Sequence, residues 1–237
     1  MMRWSRVCFG LALALLCVSN TTMRAQSADS SKASDEKLVY ADFQKLENGR
    51  LVSSRGGRTQ LNRWAQNMGA APKMVGLENA DPPGPAPTRV TDQDTAAAFQ
   101  YEIRLPNEWA GVNMEVFGQP EKDGKPVGDD ISGYKYITMR IFGKGPQSVR
   151  VELISRGLGL NLEAGYPQMT FRLSPGFNTY KFKLDSFRQP QWAAQATPID
   201  FKRDILMKLT SVTIGVFCDK CQIESGTLVV DNLAFEK

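Results

Sequence analysis

Residues 99–105 read Phe99-Gln100-Tyr101-Glu102-Ile103-Arg104-Leu105, with every odd position apolar and every even one polar. Successive side chains of a β-strand point to opposite faces, so a period of two marks a strand with one buried face. On a helix the same four apolar residues would fall on two opposite sides. The pattern recurs along the chain. Ile137, Met139 and Ile141 alternate with Tyr136, Thr138 and Arg140, and Val149, Val151 and Leu153 with Arg150 and Glu152. Met169, Phe171 and Leu173 alternate with Thr170 and Arg172, Tyr180, Phe182 and Leu184 with Lys181 and Lys183, and Val212, Ile214 and Val216 continue it. Residues 226–235 (GTLVVDNLAF) are apolar enough to be buried on both faces.

Turn residues separate these runs: Gly143-Lys144-Gly145-Pro146, Ser174-Pro175-Gly176 and Glu224-Ser225-Gly226. A single short helix is expected at residues 201–209. Many strands without a strand–helix–strand rhythm predict an all-β, antiparallel sandwich or jelly roll. Residues 82–87 are Pro-rich, and too little chain precedes them for a second core. They are expected to be a surface loop within one domain.

The chain has 237 residues, is 42% hydrophobic and 23% charged, and contains no His. Its composition is that of a globular protein. The lack of His excludes Ser-His-Asp and Cys-His triads, HExxH zinc sites and 2-His-1-carboxylate iron sites. Residues 1–25 have the layout of a signal peptide. Arg3 and Arg6 come first, then an uncharged apolar run at 7–18, then small polar residues and Ala25. That run is short of the ~20 residues of a transmembrane helix, so no membrane insertion is expected after cleavage. Residues 26–37 are polar and lack aromatics, as in a disordered spacer, and residues 38–237 form the domain. Removing Arg3, Arg6 and Arg24 takes the 29 basic residues to 26 against 25 acidic ones, a balance of +1. Nucleic-acid binding then has no electrostatic support.

Cys8 and Cys17 fall within the leader, leaving Cys218 and Cys221. This CxxC lies between strands and lacks the further Cys or His that zinc needs, nor does it open the helix of a redox motif. In a secreted or periplasmic protein it is expected to form a local disulfide.

Four segments carry a family resemblance. The domain opens with Tyr40-Ala41-Asp42-Phe43, followed by the turn Ser54-Arg55-Gly56-Gly57-Arg58-Thr59. Its centre has Glu108-Trp109-Ala110-Gly111-Val112 and Asp130-Ile131-Ser132-Gly133-Tyr134-Lys135-Tyr136-Ile137. It ends with Asp185-Ser186-Phe187, Trp192 and Val230-Asp231-Asn232-Leu233-Ala234-Phe235. In this order they resemble the galactose-binding-like jelly rolls of carbohydrate-binding module family 11 and of the complex I intermediate-associated protein 30 family. The resemblance implies a non-catalytic binder of a polysaccharide, which the signal-peptide layout of residues 1–25 makes secreted or periplasmic. The alternative is an envelope interaction or assembly-factor domain of the same fold, with a protein partner.

The resemblance also implies a structural Ca²⁺ ion where the chain ends meet, held by Asp231 with Asp42. The plainer alternative is that both carboxylates cap strand ends. Phe99, Tyr101, Phe171, Tyr180 and Phe182 lie on the apolar phase of strands and are expected in the core. Trp64, Trp109, Tyr166 and Trp192 lie in loops or at strand ends and are candidates for stacking on sugar rings. Trp109 could equally seal the sandwich. The polar phase carries Arg104, Arg140, Arg150, Glu152, Arg172, Lys181 and Lys183. If these share one concave face, Arg140 and Arg172 would suit the carboxylates or sulfates of an acidic polysaccharide. Otherwise they form a solvated outer face. Glu102, Glu115, Glu152 and Glu163 contain no motif of a glycosidase pair.

Overall fold

The computed structural model describes residues 36–65, 72–75, 83–104, 109–145, 148–157, 165–218 and 224–237. The expected signal peptide lies outside them. The described residues form fourteen strands: β1 (Lys37–Ala41), β2 (Leu46–Glu47), β3 (Arg50–Leu51), β4 (Thr59–Ala65), β5 (Lys73–Val75), β6 (Ala86–Thr91), β7 (Asp94–Ile103), β8 (Ala110–Phe117), β9 (Tyr136–Lys144), β10 (Ser148–Ile154), β11 (Gln168–Arg172), β12 (Asn178–Lys183), β13 (Ser211–Cys218) and β14 (Glu224–Glu236). All pair antiparallel.

Two sheets face each other. One runs β11-β10-β13-β8-β4; the other runs β12-β9-β14-β7-β5, with β1 paired to β14 and β6 to β7. Each strand read from its alternation is present, and the antiparallel jelly-roll sandwich is the observed fold. The odd residues Phe99, Tyr101 and Ile103 point into the core with Met114, Ile137, Met139, Val151, Ile214 and Phe235, each at most 3% exposed. Tyr40 meets the Phe235 ring edge-on, with centroids 5.4 Å apart. Phe171, Tyr180 and Phe182 cluster against this core. Burying a side chain such as Phe235 is worth about 1.5–3 kcal/mol, and truncating one to Ala costs about 3–5 kcal/mol. Strand β14 is buried from Leu228 to Asp231 and from Leu233 to Phe235 because β9, β7 and β1 flank it. The chain is already paired at Lys37, which faces Glu236 across β1 and β14.

Three local expectations are corrected. The Pro-rich stretch is not all loop, since Ala86 and Pro87 enter β6. Pro87 lies opposite Ala97 at the start of that strand, which among the described residues pairs with β7 alone and so is an edge strand that tolerates proline. Residues 201–209 form one wide helical turn and one tight one rather than a regular helix. A second helix, α1 (Gln191–Ala196), follows Pro190 and carries Trp192; six residues are too few to show a 3.6-residue pattern. The turn at 54–59 is tied down by Arg55, whose Nη2 lies 2.7 Å from Asp129 Oδ1. Gly57 is required there because a Cβ would sit 2.4 Å from the Phe117 carbonyl oxygen.

Candidate functional site

Strand register builds a groove on the outer face of the five-stranded sheet. In β8 and β13 the residues Val112, Met114, Val116, Val212, Ile214 and Val216 enter the core, so their neighbours in sequence point outward. Pairing places Trp64 opposite Gly111 and Gly111 opposite Phe217. A second row is Asn62, Asn113, Gly215, Arg150 and Thr170; a third is Gln60, Glu115, Thr213, Glu152 and Gln168. Gly111 carries no side chain because the Phe217 ring fills its place: a Cβ would lie 2.5 Å from Phe217 Cδ1. The Arg150 guanidinium covers the same ring, with Cζ 4.0 Å from its centroid.

Four aromatic side chains wall this groove, whose volume is about 630 Å³. Trp64 and Trp109 stack at one side, with ring centroids 3.5 Å apart and planes inclined 21°. Trp192 and Tyr166 stand at the other side. Gly165, at φ +60°, lets α1 pack closely, since a Cβ there would meet Ala193 Cβ at 2.6 Å and the Trp192 ring at 3.2 Å. Trp64, Trp109 and Trp192 are 37%, 46% and 64% exposed. Trp109 therefore does not seal the sandwich. Tyr166 is mostly buried, and burial pushes its phenol pKa above the usual value.

All four aromatic candidates thus meet in one groove, and the two arginine candidates do not. Arg140 lies on β9, in the other sheet. Arg172 lies on the outer face of β11 opposite Ser148, but does not line the groove. The single basic face is overturned by topology: Arg150, Glu152 and Arg172 belong to one sheet, Arg140, Lys181 and Lys183 to the other, and Arg104 follows β7 and pairs with Glu102. Among the described residues three arginines line the groove: Arg63 Nη1 donates to the Pro72 carbonyl at 3.2 Å, and Arg150 and Arg156 each have an acidic neighbour. Arg150 Nη1 is 3.9 Å from Glu152 Oε1, and Arg156 Nη2 is 3.3 Å from Glu115 Oε1. Burial raises the Glu152 pKa above the usual carboxylate range; Arg150 opposes the rise and Glu115 adds to it.

Sequence reasoning did not place Asn62, Asn113, Arg156, Gln168, Thr213 or Phe217 here. Their signal is the polar phase of strands, but only pairing shows which phases share a face. Glu115 and Glu152 sit opposite Thr213 from its two sides, about 10 Å apart along the row. Glu163 lies outside the described residues, as does Cys221; Cys218 ends β13.

The expected calcium ligands lie on the other sheet. Asp42 Oδ1 accepts from Ser54 Oγ at 3.0 Å and from the Gln44 N–H at 3.3 Å. Asp231 is fully buried, and its Oδ2 accepts from Arg140 Nη1 at 3.0 Å and Asn232 Nδ2 at 2.7 Å. Arg140 Nη1 also reaches Asp94 Oδ2 at 3.1 Å, and its guanidinium lies over the Phe177 ring. The positive charge between these carboxylates is therefore a guanidinium. A calcium ion needs six to eight oxygens; here Arg140 already takes Asp231 Oδ2 and Asp94 Oδ2, and Asp231 Oδ1 is buried with no hydrogen-bond partner among the described residues. Among the described residues no three metal-ligating side chains of the His, Cys, Asp or Glu type converge. Burial pushes the Asp231 pKa up to about 6, with help from Asp94 and against Arg140.

The sequence matches no protein-family model and no curated relative. Solved structures do match. A family 11 carbohydrate-binding module from Clostridium thermocellum, solved with a β-1,3-1,4-mixed-linked tetrasaccharide, superposes with a TM-score of 0.51 at 14% identity, covering 85% of this chain and 95% of that one. This chain has the jelly-roll fold of that module. The family 11 module of the cellulosomal cellulase Lic26A-Cel5E of the same organism gives 0.48 at 15% identity, over 84% and 94%. A family 29 module from Piromyces equi gives 0.36 at 13% identity, over 84% and 88%.

Proposed function

We propose that this chain is a secreted or periplasmic, non-catalytic carbohydrate-binding protein whose ligand lies in the groove of the five-stranded sheet. The observation that carries the reading is the convergence of Trp64, Trp109, Trp192 and Tyr166 on one groove floored by amides and paired charges. Sugar rings present flat C–H faces to aromatic walls and hydroxyls to amide and guanidinium groups. Solvent-exposed indoles are otherwise costly surface, and their grouping marks a binding site. The neighbour solved with a mixed-linked tetrasaccharide supports the same reading through its fold.

The acids described in the groove support the non-catalytic reading. Glu115 is fully buried and has four hydrogen-bonding or ion-pairing partners, so it has no access to a glycosidic bond. Among the described residues lining the groove, Glu152 then has no second carboxylate to work with. Export is read from residues 1–25, and a disulfide joining Cys218 to Cys221 belongs to the same compartment.

Native affinity electrophoresis through gels holding neutral or acidic polysaccharides tests the proposal. Retardation by at least one class is expected. Migration unchanged in every gel overturns glycan binding and turns the search to an envelope protein partner.

A further inference from the structure

We propose that the groove reads an oxyanion borne on a sugar ring, a uronate carboxylate or a sulfate ester, with the Arg63 guanidinium as its charged contact beside the Trp64–Trp109 wall. The inference rests on the glycan-binding reading above and names the class of glycan. Among the described residues lining the groove, three carry a guanidinium, Arg63, Arg150 and Arg156, and one carries a carboxylate, Glu152. Glu115 lies beneath, fully buried, and accepts from Gln60 Nε2, Asn62 Nδ2 and Ser211 Oγ besides facing Arg156. The groove is therefore positive even when Glu115 is counted. That excess is local, because the chain without residues 1–25 carries 26 basic against 25 acidic residues. Burial also disfavours the ionised form of Glu152, which adds to the excess.

The three arginines differ in what holds them. Arg150 lies over the Phe217 ring with Glu152 at 3.9 Å, and Arg156 has Glu115 at 3.3 Å. An anion would compete with those carboxylates for both. Arg63 has a neutral partner, the Pro72 carbonyl, which takes one N–H of Nη1 at 3.2 Å. A guanidinium carries five N–H donors and stays charged. That bond therefore orients Arg63 and leaves its charge and further donors for a ligand. Strand β4 is the edge of its sheet among the described residues. Arg63 is on the opposite phase from Asn62 and Trp64, yet at this edge it is exposed and lines the groove. Its chain neighbour Trp64 belongs to the aromatic wall. A uronate or sulfated ring stacks its C–H face on an indole as a neutral sugar does, while its oxyanion projects from the rim. Paired guanidinium N–H groups match two oxygens of such a group. Asn62 gives one N–H of its amide to Glu115 and keeps the other for the same ligand.

Titration calorimetry on the full chain, at low and at physiological salt, tests this with polygalacturonate, dextran sulfate and mixed-linked β-glucan. The wild type should bind at least one of the two acidic polymers more tightly than the β-glucan, and should lose that affinity as salt rises. Binding of polygalacturonate alone assigns a carboxylate, binding of dextran sulfate alone a sulfate, and binding of both an oxyanion of either kind. Arg63→Gln should cut the acidic-polymer affinity at least tenfold and flatten its salt dependence. Its melting temperature should stay at the wild-type value, because the side chain is exposed. Arg172→Gln removes the same charge from the same sheet but outside the groove, and should bind like wild type. A wild type that prefers β-glucan, an R63Q protein that keeps its acidic-polymer affinity, or equal losses in R63Q and R172Q would each overturn the proposal. Preference for β-glucan would leave glycan binding standing, whereas binding of none of the three polymers by the wild type defeats glycan binding itself and this proposal with it.

Discussion

Trp64 stacks on Trp109 at a centroid separation of 3.5 Å, so two exposed indoles from β4 and the residue preceding β8 form one double wall. Each ring gives one face to the other. A sugar therefore meets an outer indole face that its partner holds in place.

Removing a wall should weaken binding without unfolding the protein. Trp64→Ala and Trp192→Ala truncate exposed side chains, so melting temperatures should stay close to wild type. Glycan affinity should fall at least tenfold, as for a central aromatic contact worth about 2 kcal/mol. Tyr166 differs, because it is only 8% exposed. Tyr166→Ala should also destabilise, and Tyr166→Phe is the variant that isolates its hydroxyl. Wild-type affinity in all of these variants would remove the groove as the site.

Gly165→Ala should displace α1. The new Cβ would press on Ala193 and the Trp192 ring, at a φ that L-residues adopt reluctantly. We expect a loss of about 1–2 kcal/mol in stability together with weaker binding. Denaturant unfolding and Trp fluorescence report the two effects separately. A variant as stable as wild type with unchanged fluorescence contradicts the packing described.

Asp231 should make stability depend on pH in an unusual direction. Its folded pKa of about 6 lies above the 3.8 of a free carboxyl, so folding favours the protonated form. Its contribution is full below pH ~4 and lost as pH rises through 6, amounting to about 3 kcal/mol at most. Between pH 7 and pH 5 the wild type should therefore gain stability relative to Asp231→Asn. Parallel pH profiles for the two proteins would show that Asp231 is already ionised without penalty.

The clasp between Asp94, Arg140 and Asp231 should not need calcium. The melting temperature is expected to be the same in chelator and in millimolar Ca²⁺, and to fall in Arg140→Gln, which leaves buried Asp231 without its guanidinium. A melting temperature that drops with chelator and recovers with Ca²⁺ would restore Asp42 and Asp231 as ligands.

Much of the sandwich was legible because burial on one face of a strand writes a period of two into the chain. Val149 to Leu153 and Val212 to Val216 show it plainly. Strands β4 and β8 were harder to see. Asn62 and Trp64 on β4 and Asn113 and Glu115 on β8 face the groove, so the phase that would usually be plain solvent-facing polar is mixed. Helix α1 was missed because one and a half turns leave no periodic trace. The aromatic candidates stood out as residues that strand packing did not explain. The arginines could not be sorted that way, since Arg140 and Arg150 occupy the same phase of equivalent-looking strands.

The amino-acid sequence alone determined the strand class, the direction each strand residue points, and the aromatics left over from the core. These are local properties, set by backbone pleat and by which side chains avoid water. Only the tertiary structure decided which strands are neighbours. Pairing β10 with β13, and β13 with β8, put Glu152, Thr213 and Glu115 in one row, while Arg140 went to the other sheet. Pairing joins residues about 60 to 100 positions apart in the chain, and the alternation of a strand carries no label for its partner.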